Sequence, residues 1–366
     1  MSKSGRNNAI EFLRFLFAVI IILFHGVGAF PIPEIFPHIR LFFHGDIGVE
    51  YFFLVSGYLM AKSADKPRDP GMSIGRDTAT FIGKKYGGIF PYHLYAFFVA
   101  FAVTAVVQRL SAGGAVKLLA HSLPNLFLLD MTGIRYTIVN GYEWYISAML
   151  LAMLFIYPLL RRFYSYVSYA AAPLAALLIL GYMSYSYSSL TWVTFWTGFL
   201  YKGVVRAVAI ILLGVVSYVV SKKLRQLSFT RLGLFGITAL EFFGYFATIC
   251  YICTDFSEDY YFYLVFFLML SVAITFSGKT ITTKLLKGKF FSFLGKLSLP
   301  LYLNQYYSLM LVKTYLTAYS PTIRLIVFFL LSFVSAILCM VVVDTLKKHF
   351  SLKKLFLKPQ EQQLTQ

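Results

Sequence analysis

The chain has 366 residues, of which 59% are hydrophobic and only 13% charged, with 33 Lys and Arg against 15 Asp and Glu. That balance excludes an ordinary soluble domain and points to a polytopic helical membrane protein. The net charge of +18 reads as loop retention and affinity for anionic lipid, not as nucleic-acid binding, because no soluble basic domain remains once the apolar runs are set aside.

Ala9 to Phe30 is long enough to cross a bilayer as a helix. It is interrupted by Glu11, Arg14 and His25, so it reads as a retained first span and not as a signal peptide. Arg14 and His25 are eleven positions apart, about three turns and roughly 16 Å, and fall on nearly one face with Glu11. Ionisable groups kept inside a span mark function. His44 and Asp46 follow in a short loop, and then Glu50 opens a second apolar run through Met60. Gly57 falls close to the Glu50 face of that run and permits close helix approach.

Further spans are predicted near 89–108, 142–160, 169–185, 203–220, 232–253, 261–277, 293–315 and 322–346, making ten with the first two near 9–30 and 47–61. Lys and Arg concentrate roughly three to one on alternate loops, which places both termini in the cytoplasm. Residues 62–88, with Pro67, Pro70 and several glycines, read as a cytoplasmic connection carrying Lys84 and Lys85. Residues 109–141 read as an outer segment, partly ordered, with 116–129 along the interface. Thr191 to Tyr201, rich in aromatic side chains, reads either as an interfacial belt or as the lining of a sugar groove. The domain expectation is one transmembrane unit, 1–358, followed by a polar, disordered tail, 359–366. Cys250 and Cys253 have the spacing of a redox or metal pair, but they end an apolar helix without a second pair and read as apolar residues.

With this topology His25 lies roughly 8 Å and Glu50 roughly 5 Å below the outer surface, at a shared level. His25 is the candidate general base, with Glu50 as the group that orients it and His44 and Asp46 as competitors for that role. Arg14 suits a phosphate or acyl oxygen or an ion pair with Glu11 or Glu241. Asn304 and Gln305 either donate to a substrate carbonyl or hold helices together. Glu143 and Trp144 stand where an acceptor would arrive. A secondary transporter or permease for a small anion or glycan precursor is the alternative reading, but the internal repeat it predicts is not evident.

Several stretches resemble the acyltransferase-3 family of integral membrane O-acyltransferases. They are Arg14 and His25 followed by Gly48 to Tyr58, then Ile89-Phe90-Pro91-Tyr92, Trp144-Tyr145-Ile146-Ser147, and Leu294 to Leu303. Gly88 stands where the family often has a second Arg, and Gln305 where it commonly has His. The resemblance implies the stand-alone form, without a fused esterase-like domain. It implies a multi-pass enzyme of the plasma membrane that moves an acyl group, usually acetyl, from cytosolic acyl-CoA to a hydroxyl of a surface polysaccharide or its lipid-linked precursor. Acetyl-CoA is then a donor substrate, and no metal is expected. On that reading His25 and Glu50 are catalytic. Arg14, Lys84 and Lys85 bind acyl-CoA, while Glu143, Trp144, Tyr302, Asn304 and Gln305 contact substrate.

Overall fold

A computed structural model describes residues 7–33 and 36–349. Eleven helices carry the architecture: α1 (Asn8–Ala29), α2 (Gly48–Ala64), α3 (Ile74–Val107), α4 (Ala112–His121), α5 (Trp144–Arg162), α6 (Ala172–Tyr187), α7 (Lys202–Gln226), α8 (Arg231–Ile252), α9 (Asp259–Ser277), α10 (Lys289–Tyr315) and α11 (Pro321–His349). All but α4 correspond to the ten predicted spans, and among the described residues eight helices, α6 being counted with the turns before it as Tyr164–Tyr187, are long and apolar enough to cross a membrane. The other two, α2 and α10, carry polar side chains that are buried in the bundle, Glu50 on α2 and Asn304 and Gln305 on α10. The chain is therefore a polytopic α-helical bundle. The proposed boundary at 358 and the polar tail lie outside the described residues.

Apolar contact alone does not hold membrane helices together, because lipid tails are as apolar as the side chains. Close backbone approach and buried polar pairs fix the arrangement instead. Gly57 of α2 meets Gly214 of α7, and a methyl group on either would collide with backbone of the other helix. Gly295 of α10 leaves the space that Glu11 of α1 fills. Accordingly α1 packs chiefly on α10, α2 on α7, and α10 on α11.

The 62–88 segment departs from the sequence expectation. Its irregular part ends at Ser73, whose side chain caps the next helix by accepting from Arg76 N at 3.2 Å. Helix α3 then runs 34 residues, through Lys84 and Lys85. The glycines at 83, 87 and 88 would weaken an isolated helix. Tertiary contacts hold this one: Arg161 Nε bonds Asp77 at 2.5 Å, and Phe81 stacks on Tyr157 at 4.0 Å between centroids. Segment 109–141 is partly ordered, as expected, with α4, a short turn at Leu123–Leu126 and a 3-10 turn at Asp130–Thr132.

Candidate active site: two cavities about one tyrosine

The polar line of α1 borders two cavities. The inner one, about 310 Å³, is lined by Arg14, Lys84, Lys85, Ser298, Tyr145 and Tyr302 among others. It therefore gathers the three cations predicted for acyl-CoA, Lys84 and Lys85 reaching it because α3 extends so far. Arg14 is half-buried and sits 3.4 Å from Glu11. The alternative partner, Glu241, instead accepts from Thr275 Oγ1 at 2.7 Å and from Thr282.

The outer cavity, about 170 Å³, is lined by His25, Asp46, Trp144, Trp192, Arg206 and Tyr302 among others. Tyr302 thus belongs to both walls. Its hydroxyl donates to the carbonyl of Tyr142, and its ring meets Tyr145 edge-on with centroids 5.3 Å apart.

His25 is half-buried. Its Nδ1 lies 2.9 Å from Oε1 of Gln305, while Gln305 Nε2 donates to Tyr302 O at 3.0 Å. With the amide nitrogen committed to a carbonyl, the amide oxygen faces the imidazole and accepts from Nδ1–H. The lone pair is then on Nε2. Tyr142 stacks on the ring at 3.7 Å and 9°. Rotation of the imidazole is thereby restricted by one hydrogen bond and one flat contact.

Glu50 does not orient His25. It is fully buried, and its Oε1 accepts from Arg206 Nε at 2.7 Å and from the Tyr261 hydroxyl at 3.1 Å. The depth estimate placed it at a suitable level, but the face it shares with Gly57 turns towards α7, where Arg206 stands. Arg206, 1% exposed, also donates to Leu190 O at 3.0 Å and to Tyr261. Its guanidinium lies 5.7 Å from the Trp144 ring. The sequence reading singled out no role for Arg206. The usable signal was a carboxylate and a guanidinium each inside an apolar run, since each needs the other there.

Three further expectations are corrected. Glu143 does not face an acceptor; it is fully buried and bonds His93 Nδ1 at 2.7 Å and Asn140 Nδ2 at 2.9 Å. Asn304 is turned inwards, donating to Pro300 O and accepting from Tyr307. Among the competitors, His44 bonds Phe256 O at 2.9 Å and stacks on Tyr251, away from His25. Asp46 does line the outer cavity. Burial raises its carboxyl, and the Arg206 guanidinium opposes that rise. Trp144 and Tyr302 border the cavity as expected, and Gln305 reaches it through His25.

A membrane bundle that places a cation-lined cavity on one side of a tyrosine and an imidazole on the other has the parts for group transfer. The family model described as an acyltransferase domain matches residues 7–344, nearly the whole described chain. The protein belongs to the acyltransferase-3 family and is a multi-pass membrane acyltransferase. No curated protein and no solved structure matches it.

Proposed function

We propose that the protein is an O-acetyltransferase of the plasma membrane. Its donor is cytosolic acetyl-CoA, and its acceptor is a hydroxyl of a surface polysaccharide or of the lipid-linked precursor. Both termini face the cytoplasm. Arg14, Lys84 and Lys85 hold the anionic end of the donor in the inner cavity. The thioester reaches past Tyr302 to His25. Nε2 takes the proton of the acceptor hydroxyl as its oxygen bonds to the thioester carbonyl carbon. The C–S bond then breaks, and the proton on Nε2 passes to the departing thiolate. Gln305 holds the reactive tautomer throughout, the role first assigned to Glu50. Glu50 acts one step removed, by fixing Arg206 in the cavity wall.

The observation that carries this reading is the orientation of His25, with Nδ1–H fixed to a neutral amide and the basic nitrogen left over beside a cavity. The experiment is transfer of label from acetyl-CoA to glycan in membranes holding wild type or His25→Ala at equal protein. The variant should lose transfer. Undiminished labelling by the variant refutes the catalytic role.

A further inference from the structure

The connection between α6 and α7 carries several exposed aromatic side chains: Trp192 is 80% exposed, Phe199 79%, Phe195 54% and Trp196 48%. Lipid-facing aromatics at a membrane interface are ordinary, and Phe195, Trp196 and Phe199 fit that description. Trp192 differs in two ways. Together with Thr191 and Val193, it lines the same cavity as His25, Asp46 and Arg206. Its backbone also lies in the left-handed region, at φ 57°, which costs free energy for a bulky residue.

The surroundings impose that conformation. On one side Arg206 Nη1 donates to Leu190 O at 3.0 Å, and Leu190 is fully buried. On the other, Gly203 N donates to Val193 O at 2.9 Å and Phe195 N to Trp192 O at 3.0 Å. A strained residue fixed from both sides, with its indole left outside, gains no packing of its own from that strain. Strain that packing does not explain is a recurring mark of functional sites. The indole is a broad, stiff apolar plate at the rim of a cavity where a carboxylate, a guanidinium and an imidazole stand among apolar walls that include Ile21, Phe24, Val49 and Trp144.

We infer that Trp192 is the platform on which the acceptor rests: the C–H face of a pyranose ring lies on the indole, and its hydroxyls turn towards Asp46, Arg206 and His25. An apolar plate and polar groups bordering one small cavity match a sugar ring, which has apolar faces and a polar rim. A phosphate or a carboxylate would use the guanidinium but not the plate. The inference rests on the O-acyltransferase reading and adds to it the residue that selects the acceptor.

The test uses the full-length protein in detergent, with methyl α-D-glucopyranoside, galactopyranoside and mannopyranoside as probes. Binding is read by saturation-transfer NMR, and transfer from acetyl-CoA by mass. Trp192→Gly removes the plate and relieves the left-handed strain. It should keep or raise the melting temperature while weakening sugar binding and raising the acceptor KM about tenfold. The KM for acetyl-CoA should not move. Trp192→Phe, which keeps a smaller plate, should recover part of the loss, and Phe199→Gly should change neither constant. No saturable binding in wild type, or equal binding and KM in Trp192→Gly, overturns the inference. If sugar binds at Trp192 but no acetyl group moves, the platform stands and the acetyltransferase reading fails. If transfer proceeds and ignores Trp192, the reading stands and the platform fails.

Discussion

His25 and His93 are both imidazoles on bundle helices, and both bond through Nδ1 to a side-chain oxygen, at 2.9 and 2.7 Å. The resemblance ends there. His93 is fully buried, its partner is the carboxylate of Glu143, and its Nε2 is taken by Leu126 O at 2.8 Å. Since a carbonyl only accepts, His93 spends its second nitrogen as a donor and keeps no lone pair for a substrate. His25 is half-buried, its partner is a neutral amide, and its second nitrogen stands beside a cavity. Reactivity thus follows from what occupies the two nitrogens, not from the presence of a carboxylate. A buried charge-paired histidine makes a good fastener, and a histidine steered by an amide keeps its basic nitrogen for chemistry.

The widest separation should come from replacing each in turn. His25→Ala should lower transfer by about a thousandfold, the usual scale for a positioned general base, while the melting temperature of the purified protein barely changes. His93→Leu should do the reverse. It strands Glu143 in the interior and should cost about 3–5 kcal/mol of stability, with the surviving folded fraction still turning over. If His93→Leu were as stable as wild type but inactive, the assignment of roles would be inverted.

Glu50 sharpens the same contrast. Its bond to Arg206 makes it a fastener like Glu143, so Glu50→Ala should cost about 3 kcal/mol by leaving the buried guanidinium only the more distant Asp46, at 3.9 Å, as a carboxylate partner. Its effect on transfer should not depend on whether His25 is present. Gln305 should behave differently. Gln305→Leu removes the acceptor for Nδ1–H, frees the tautomer, and should lower kcat about tenfold with the acetyl-CoA KM unchanged. A double-mutant cycle settles the choice, because coupling of His25 to Glu50 exceeding that to Gln305 would reinstate the carboxylate as the orienting group.

These assignments show which parts of the molecule were readable in advance. Long apolar runs fix span positions because the bilayer sets their length, and even α10, with Asn304 and Gln305 inside it, stood out. Helical period put Arg14 and His25 on one line, since phase within a single helix is local arithmetic. Phase between helices is not local. The direction of Glu50 depends on how α2 meets α7 at Gly57 and Gly214. No count along either helix gives that rotation. The same limit hid Arg206 and assigned Glu143 to an acceptor instead of to His93. Helix α3 was cut short because Gly83, Gly87 and Gly88 lower local propensity, while the contacts that restore it, Asp77 with Arg161 and Phe81 with Tyr157, come from a distant part of the chain.

The smallest effect concerns the fastener's outer edge. Asn125 ties Glu143 to Asp130, donating to Asp130 Oδ1 at 2.6 Å, and its own Oδ1 accepts from Asn140 N at 2.9 Å. Burial pushes the Asp130 carboxyl up to about 6 from an ordinary 3.8. The folded protein therefore holds that proton more tightly than the unfolded chain does. Stability withheld by the buried charge above pH 6 returns as the pH falls towards 4. Asp130→Asn keeps an oxygen for Asn125 and removes the titration. Relative to the variant, wild type should gain about 1–2 kcal/mol between pH 7 and pH 4.5, read as melting temperature against pH in detergent. Transfer measured at pH 7 should scarcely change, because neither Asp130 nor Asn125 lines the His25 cavity. Parallel stability curves for the two proteins would mean that Asp130 is already ionised at pH 4.5, and that the outer loop is held by a charge and not by a shared proton.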